Sequence, residues 1–250
     1  MFDAFTNLII ITTFLLAGTI KGVIGLGLPS VSLAILTVAI DLPSAMALLL
    51  VPSTLTNLWQ AAVGGNFLAI LRRMWPFLLM AVVTVWVGAT ALTRIDLSLL
   101  AALLGGLLIA YSAMNLAGVK VTISPRREIW VGPLLGAVNG ILTGMTGSFV
   151  VPGVLYLQAI GLSRDMLIQA MGVLFTLSTL ALAFALKGND LLTVELGLTS
   201  TIALIPAIIG MVLGQRIRKL LPDQLFRRVF FVSLLVLGVY IISQLFSYNS

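Results

Sequence analysis

Lys21-Gly22-Val23-Ile24-Gly25-Leu26-Gly27-Leu28-Pro29 interrupts an apolar block that runs from Phe5 to Ile40. A second block, Ile129–Ile160, is interrupted by Asn139-Gly140-Ile141-Leu142-Thr143-Gly144-Met145-Thr146-Gly147-Ser148, with Pro152 just beyond. As straight helices these blocks would span about 45–50 Å, against a hydrocarbon core of about 30 Å. A glycine weakens a helix interior by about 1 kcal/mol relative to alanine, and a proline by about 3 kcal/mol. Each block therefore reads as a helical hairpin, 5–40 and 129–160, with its turn at the interruption.

The rest of the chain fits the same solvent. Hydrophobic residues make up 60% and charged residues 9%, against about 25% charged in a soluble domain. So few charges cannot build a water-facing surface. Six further blocks read as ordinary spans: Ser44–Val63, Trp75–Thr93, Ser98–Leu116, Met166–Leu186, Leu196–Gly214 and Leu225–Leu245. Each supplies the roughly 20 apolar residues that a crossing needs. The N-terminus has Asp3 and no basic n-region, so the first block is expected to remain in the mature protein.

Composition also excludes functions. The chain has no cysteine and no histidine, hence no disulfides, no zinc site of the Cys/His kind and no Ser–His or Cys–His nucleophile. Neither an enzyme activity nor a metal or cofactor is expected. The net charge of +6 does not point to nucleic acid, because the basic residues lie between apolar blocks, where they orient membrane helices.

That orientation tests the hairpins. If each long block returns to its starting side, eleven Lys and Arg fall on one side: Arg72, Arg73, Lys120, Arg126, Arg127, Arg164, Arg216, Arg218, Lys219, Arg227 and Arg228. Only Arg94 and Lys187 fall on the other. Single crossings would abolish the bias. The positive-inside rule favours the hairpins, with the rich side in the cytoplasm and both termini outside.

The two halves share an order of elements: hairpin, then three spans. Gly18 and Gly22 pair with Gly136 and Gly140 at one shift, which makes Asn139 the counterpart of Lys21. Ala39, Ile40, Leu42 and Met46 pair with Ala159, Ile160, Leu162 and Met166, and Gly88 and Arg94 pair with Gly210 and Arg216. Three crossings per half put the second half on the opposite face. The expected fold is an all-α integral membrane protein of two inverted-topology repeats, 1–117 and 129–250, joined by a cytoplasmic linker, 118–128. Small-xxx-small faces pack helices within a chain or between chains, so a homodimer is compatible with them.

In inverted-repeat transporters the substrate sits near the midplane between interrupted helices. The interruptions here offer backbone N–H groups of Gly25, Leu26, Gly27, Gly147 and Ser148, and a helix N-terminus favours anions. Lys21 lies well inside an apolar block, where a cation is costly and marks function unless it snorkels or caps carbonyls. No Asp or Glu lies deep in a block, so the buried carboxylate that a cation carrier or proton relay normally needs is missing. Asn57 and Gln60 share a helix face, and Asn139, Thr143 and Thr176 complete the candidate set. Ser53, Thr56, Gln158, Gln169 and Ser178 are further polar residues within reach of it. The expected ligand is a small anion, with the lipid bilayer as the other partner.

The duplicated four-element plan and its glycine-rich openings resemble the sulfite exporter TauE/SafE family, also called the 4-toluene sulfonate uptake permeases. Pro152-Gly153-Val154-Leu155-Tyr156-Leu157-Gln158-Ala159-Ile160-Gly161-Leu162-Ser163-Arg164-Asp165 reads like that family's second-half segment. The family's usual Gly-x-Gly-Gly-Gly tip is not intact: the chain has Gly25-Leu26-Gly27-Leu28-Pro29 and Gly144-Met145-Thr146-Gly147-Ser148. The resemblance implies a secondary transporter of sulfite, sulfonates or related organosulfur or carboxylate anions, often outward, across the bacterial inner membrane. An anion channel and a non-catalytic subunit of a membrane complex are the competing expectations.

Overall fold

The computed structural model describes residues 2–119, 121–218 and 223–248. Lys120 and Lys219, both counted above among the loop cations, lie outside them. The described residues form helices α1 Ala4–Ile24, α2 Leu28–Ala39, α3 Leu42–Leu48, α4 Leu50–Ala62, α5 Phe67–Val83, α6 Val85–Ala89, α7 Leu97–Leu116, α8 Pro125–Thr146, α9 Leu155–Ala159, α10 Arg164–Gly188, α11 Val194–Ile217 and α12 Asp223–Tyr248, with no strand among them. Six of these, α1, α7, α8, α10, α11 and α12, and the run Phe67–Thr93 that contains α5 and α6 are long and apolar enough to cross a membrane, or eight spans if the bent pair α3–α4 counts as one. Large apolar side chains such as Ile202, Ile205, Phe184 and Val236 are exposed, as a lipid-facing surface requires. The protein is an all-helical, multi-pass membrane protein.

Acids at the block ends start helices. Asp3 accepts from the Thr6 amide at 3.0 Å, Asp41 from Ser44 at 2.7 Å and Asp96 from Ser98 at 2.8 Å, each satisfying an orphan N–H of a first turn. Hydrogen bonds from Thr6 hold the Asp3 carboxyl below its usual range, and those from Ser98 do the same for Asp96.

The helix bounds correct several sequence expectations. The span expected at Trp75–Thr93 begins at Phe67. Arg72 and Arg73 sit inside the helix rather than ahead of it, because long basic side chains at a helix end reach water while their stems lie on apolar surface. The second hairpin's first arm starts at Pro125, with Ser124 at its N-cap. The first arms of both hairpins, α1 and α8, have crossing length. The return arms do not: α2 has 12 residues, about 18 Å at 1.5 Å per residue.

The chain forms two compact units that cut across its two halves. One comprises 1–52, 95–119 and 191–250, the other 53–94 and 120–190.

In the first unit α1 packs along α11 through glycines. A methyl at Gly18 or Gly22 would overlap the Ala207 or Met211 carbonyl, and one at Gly210 or Gly214 the Leu15 or Thr19 carbonyl. Gly105 and Gly238 bring α7 and α12 together likewise. The 45° bend between α3 and α4 has a local cause. Pro52 lacks the N–H that Leu48 C=O would receive. The Ser200 hydroxyl donates to that carbonyl at 2.8 Å and accepts from the Val51 amide at 3.1 Å.

In the second unit α8 packs on α5 and α6 by the same device. Gly136, Gly140 and Gly144 lie over the carbonyls of Phe77, Ala81 and Val85, and Gly88 over that of Ile141. The Thr84 hydroxyl donates to Ala137 O at 2.9 Å. α4 and α10 are tied by Gln60 donating to Ile168 O and Gln169 donating to Ala61 O, both at 2.8 Å.

Gly140→Val is expected to destabilise the detergent-purified protein by about 1–3 kcal/mol or more, because its Cβ has no room beside Thr84 Oγ1 and the Ala81 carbonyl. Gly106→Ala, with open space at its Cβ, is expected to be neutral or to stabilise by up to about 1 kcal/mol. Thermal unfolding of the two variants side by side checks both.

Candidate functional site

The two hairpin breaks begin alike. α1 ends at Gly25 (φ 79°), whose N–H returns to Lys21 O at 2.7 Å. α8 ends at Gly147 (φ 71°), whose N–H returns to Thr143 O at 2.7 Å. Left-handed φ is open to glycine without steric cost, which is why each helix stops there. This cap sets the register between the halves and corrects the one expected from sequence. Gly18 and Gly22 stand seven and three residues before their cap, as Gly140 and Gly144 do before theirs. The counterpart of Lys21 is thus Thr143, not Asn139. On the partner helices, Gly214 meets Thr19 and Gly22 as Gly88 meets Ile141 and Gly144, so Gly88 matches Gly214 rather than Gly210.

The caps also remove expected donors. The amides of Gly25 and Gly147 are spent on the helix ends, and the Ser148 amide donates to Thr146 Oγ1 at 3.2 Å. In the first unit this leaves Leu26 and Gly27, at the start of α2. Gly27 (φ 113°) takes the N-cap position of α2 with no side-chain cap. A Cβ there would crowd Ile20 and Phe230. Lys21, one turn before the break, is buried at 4% exposure.

The second hairpin does not return as a regular helix. Val150–Val154 is distorted, with Val151 extended and a cis Val151–Pro152 bond, and the regular α9 behind it has only 5 residues. The expected helix N-terminus at this tip is therefore absent. Side chains of α8 fasten the distorted segment instead. Thr143 Oγ1 donates to Ser148 O at 3.1 Å, and one turn earlier Asn139 Oδ1 accepts from the Gly153 amide at 2.9 Å. A Cβ on Gly153 would stand 2.5 Å from Asn139 Oδ1 and 3.0 Å from Leu174 Cδ2, so a side chain there would displace Asn139.

With its oxygen engaged by Gly153, Asn139 points the chemistry of its other end: Nδ2 is a donor, buried and without a protein partner. Ser148 Oγ is buried and unpartnered too, and so is Ser178 Oγ. Ser178 stands one turn beyond Leu174 and Phe175 on α10. Leu174 meets Gly153, and the Phe175 ring lies 5.6 Å from that of Phe149, so this face of α10 covers the distorted segment. An unsatisfied buried polar group costs about 1–3 kcal/mol, and such groups call for an explanation; in the first unit the hydroxyls of Thr37, Tyr111 and Ser112 are buried and unpartnered as well.

The remaining candidates divide. Asn57 Nδ2 donates to Ser53 Oγ at 2.9 Å, and Ser53 Oγ lies 3.4 Å from Thr179 Oγ1. This places Asn57 in a buried polar network with α10. Gln60 and Gln169 are spent on helix pairing. Thr176 donates to Gly172 O of its own helix at 2.7 Å, and Gln158 is exposed. Gly153 and Thr146 are site-building residues that the sequence reading does not single out. Their only sequence signal is their nearness to the interruption.

A cavity of about 330 Å³ in the second unit lies elsewhere, lined by Arg73, Phe77, Glu128, Gly132 and Tyr156 among others. Its guanidinium is engaged by Glu128, at 2.6 and 2.9 Å, and by Ile160 O at 2.8 Å. It ties α5 to both ends of the second hairpin rather than presenting free donors.

The family model described as "Sulfite exporter TauE/SafE" matches residues 10–241. No curated protein and no solved structure matches the chain.

Removing an unpartnered buried hydroxyl relieves a cost. Ser148→Ala and Ser178→Ala are expected to leave ligand-free stability unchanged or raise it by about 1–3 kcal/mol. Gly153→Ala is expected to lower it, by driving Asn139 off that segment. Thermal unfolding without added anions reads all three.

Proposed function

The chain belongs to the TauE/SafE sulfite exporter family, and on that premise we propose that it is a secondary transporter of a small anion, sulfite, a sulfonate or a related organosulfur or carboxylate anion. The carrying observation is the cluster of neutral donors at the second break, Asn139 Nδ2 and Ser148 Oγ foremost, buried and without protein partners. Their polarity is that of an acceptor's host. No Asp or Glu is buried among the described residues, which removes the usual ligand of a transported cation.

In this reading the two broken hairpins of an inverted repeat hold the anion near the midplane, and the halves rock around it. Lys21, Leu26 and Gly27 serve from the first hairpin, and Asn139, Thr143 and Ser148 from the second. Asn57 supports the site through its polar network. The membrane is the bacterial inner membrane, with both termini on the periplasmic side as the basic loops require. Export follows from the electrostatics. Each negative charge leaving a cell that is 100 mV negative inside gains about 2.3 kcal/mol, so a bare anion needs no carboxylate relay.

Proteoliposomes containing the purified protein test this. Saturable sulfite or sulfonate flux with counterflow is expected. It should fall at least tenfold in Asn139→Leu, Lys21→Ala and Gly147→Leu, and hold in Gln158→Ala. Unchanged flux in the first three would remove the site. Single-channel currents without counterflow would make the protein a channel.

A further inference from the structure

We propose that the groove between the basic ends of α5 and α8 binds one anionic phospholipid, its phosphate between Arg72 and Arg126 and its glycerol and first acyl carbons in the groove. Every residue involved belongs to the second unit. The proposal needs only the membrane setting and is independent of what the protein carries.

The helix pair opens where its glycines end. α8 lies along α5 and α6 in parallel, with Gly136, Gly140 and Gly144 over Phe77, Ala81 and Val85. Toward the basic end Pro76 and Pro133 line the interface instead, and a cavity of about 330 Å³ lies between the helices. Its wall is apolar and aromatic, with Trp75, Ile129 and Tyr156 beside the two prolines, and Tyr156 brings a hydroxyl to it. Trp75 is 60% exposed and Ile129 78%, so the groove runs out onto the lipid-facing surface. From Pro125 to Pro133 it follows α8 for about 12 Å at 1.5 Å per residue. A headgroup layer is about 5–8 Å deep, so the groove reaches from that layer into the hydrocarbon.

Charge is placed to match. Arg72 precedes Trp75 and Pro76 by three and four residues, and Arg126 precedes Ile129 by three and Pro133 by seven. These spacings keep each arginine on the face of its helix that borders the groove. Both are exposed, and neither has an ion pair or hydrogen bond among the described residues. The acid in the lining, Glu128, is already held by Arg73 at 2.6 and 2.9 Å, so no free carboxylate opposes a phosphate there. The positive-inside rule accounts for arginines at this level but not for their face. Arg127 obeys the same rule from the far side of α8, at 100° per residue.

Both halves of the groove then have a use in one molecule. Guanidinium forks suit phosphate oxygens, and basic pockets between membrane helices take anionic headgroups. A soluble phosphate would meet the arginines and leave the apolar wall uncovered. A zwitterionic lipid would cover the wall but bring an ammonium to a mouth that already has two positive charges to spare. An anionic phospholipid satisfies both.

The test uses the delipidated, detergent-purified full-length protein, titrated with phosphatidylglycerol, phosphatidylcholine or glycerol 3-phosphate. Native mass spectrometry counts bound lipid, and thermal unfolding reads affinity. One phosphatidylglycerol per chain is expected, bound at least tenfold more tightly than phosphatidylcholine, with no stabilisation by glycerol 3-phosphate at the same concentration. The preference is expected to fall below threefold in Arg72→Ala/Arg126→Ala. It should persist in Arg216→Ala/Arg218→Ala, which removes the same charge from an exposed helix end of the first unit. Equal binding of the two lipids by the unmodified protein would overturn the proposal. So would an equal loss in both double variants, which would make the preference one of general surface charge. Stabilisation by glycerol 3-phosphate as strong as that by phosphatidylglycerol would overturn the lipid and leave a site for a soluble anion.

Discussion

A backbone inside hydrocarbon has no water to fall back on, so every amide and carbonyl freed by a break must find a partner within the protein. This constraint organises the molecule more than any single contact. Where Pro52 withholds its donor from Leu48 C=O, the Ser200 hydroxyl from a distant helix takes its place. Where α8 ends, Gly147 turns its own N–H back, Thr146 accepts from Ser148, Thr143 donates to it, and Asn139 receives the Gly153 amide. The polar residues of the spans are largely there to mend the backbone. Gln60, Gln169, Thr84 and Thr176 all have that use.

Against this background the unmended groups stand out. The fold satisfies the backbone at the second break and leaves side-chain donors over, a distribution that costs stability. Functional sites are commonly placed at such expense. The two hairpins share their first arm, their glycine packing and their left-handed cap, yet differ where they return. α2 is a regular helix with Gly27 at its N-cap, and the second return is a distorted segment pinned to α8 and followed by the short α9. The first hairpin holds the buried Lys21 and the second holds buried neutral donors, a difference that a strictly repeated structure would not have.

Glycine spacing was a sound guide to packing and a poor guide to register. Small residues every fourth position predict close helix approach in both first arms, and Gly18, Gly22, Gly140 and Gly144 all meet a backbone carbonyl. The same regular spacing lets one half slide along the other by a turn without losing matches, so the glycines pair Lys21 with Asn139, where the folded chain pairs it with Thr143. The left-handed caps, together with the contacts of Gly88 and Gly214 on the partner helices, distinguish the two, because φ and packing are properties of the folded backbone and not of the letter Gly.

Solvent, span length and charge placement were legible in the amino-acid sequence because they are local. Roughly 20 apolar residues cross hydrocarbon whatever their neighbours, arginines collect at ends, and a missing buried acid is visible as a missing letter. The sequence also marked both breaks and placed Asn139, Thr143 and Ser148 among the candidates. Which of the candidate groups remain available was decided by tertiary structure alone. The amides of Gly25, Gly147 and Ser148 were consumed by contacts within their own turns, and Gln60 by a helix remote in sequence. Asn139 Nδ2, Ser148 Oγ and Ser178 Oγ were left. A hydrogen bond has one donor and one acceptor, and the sequence names the groups without saying which of them will meet.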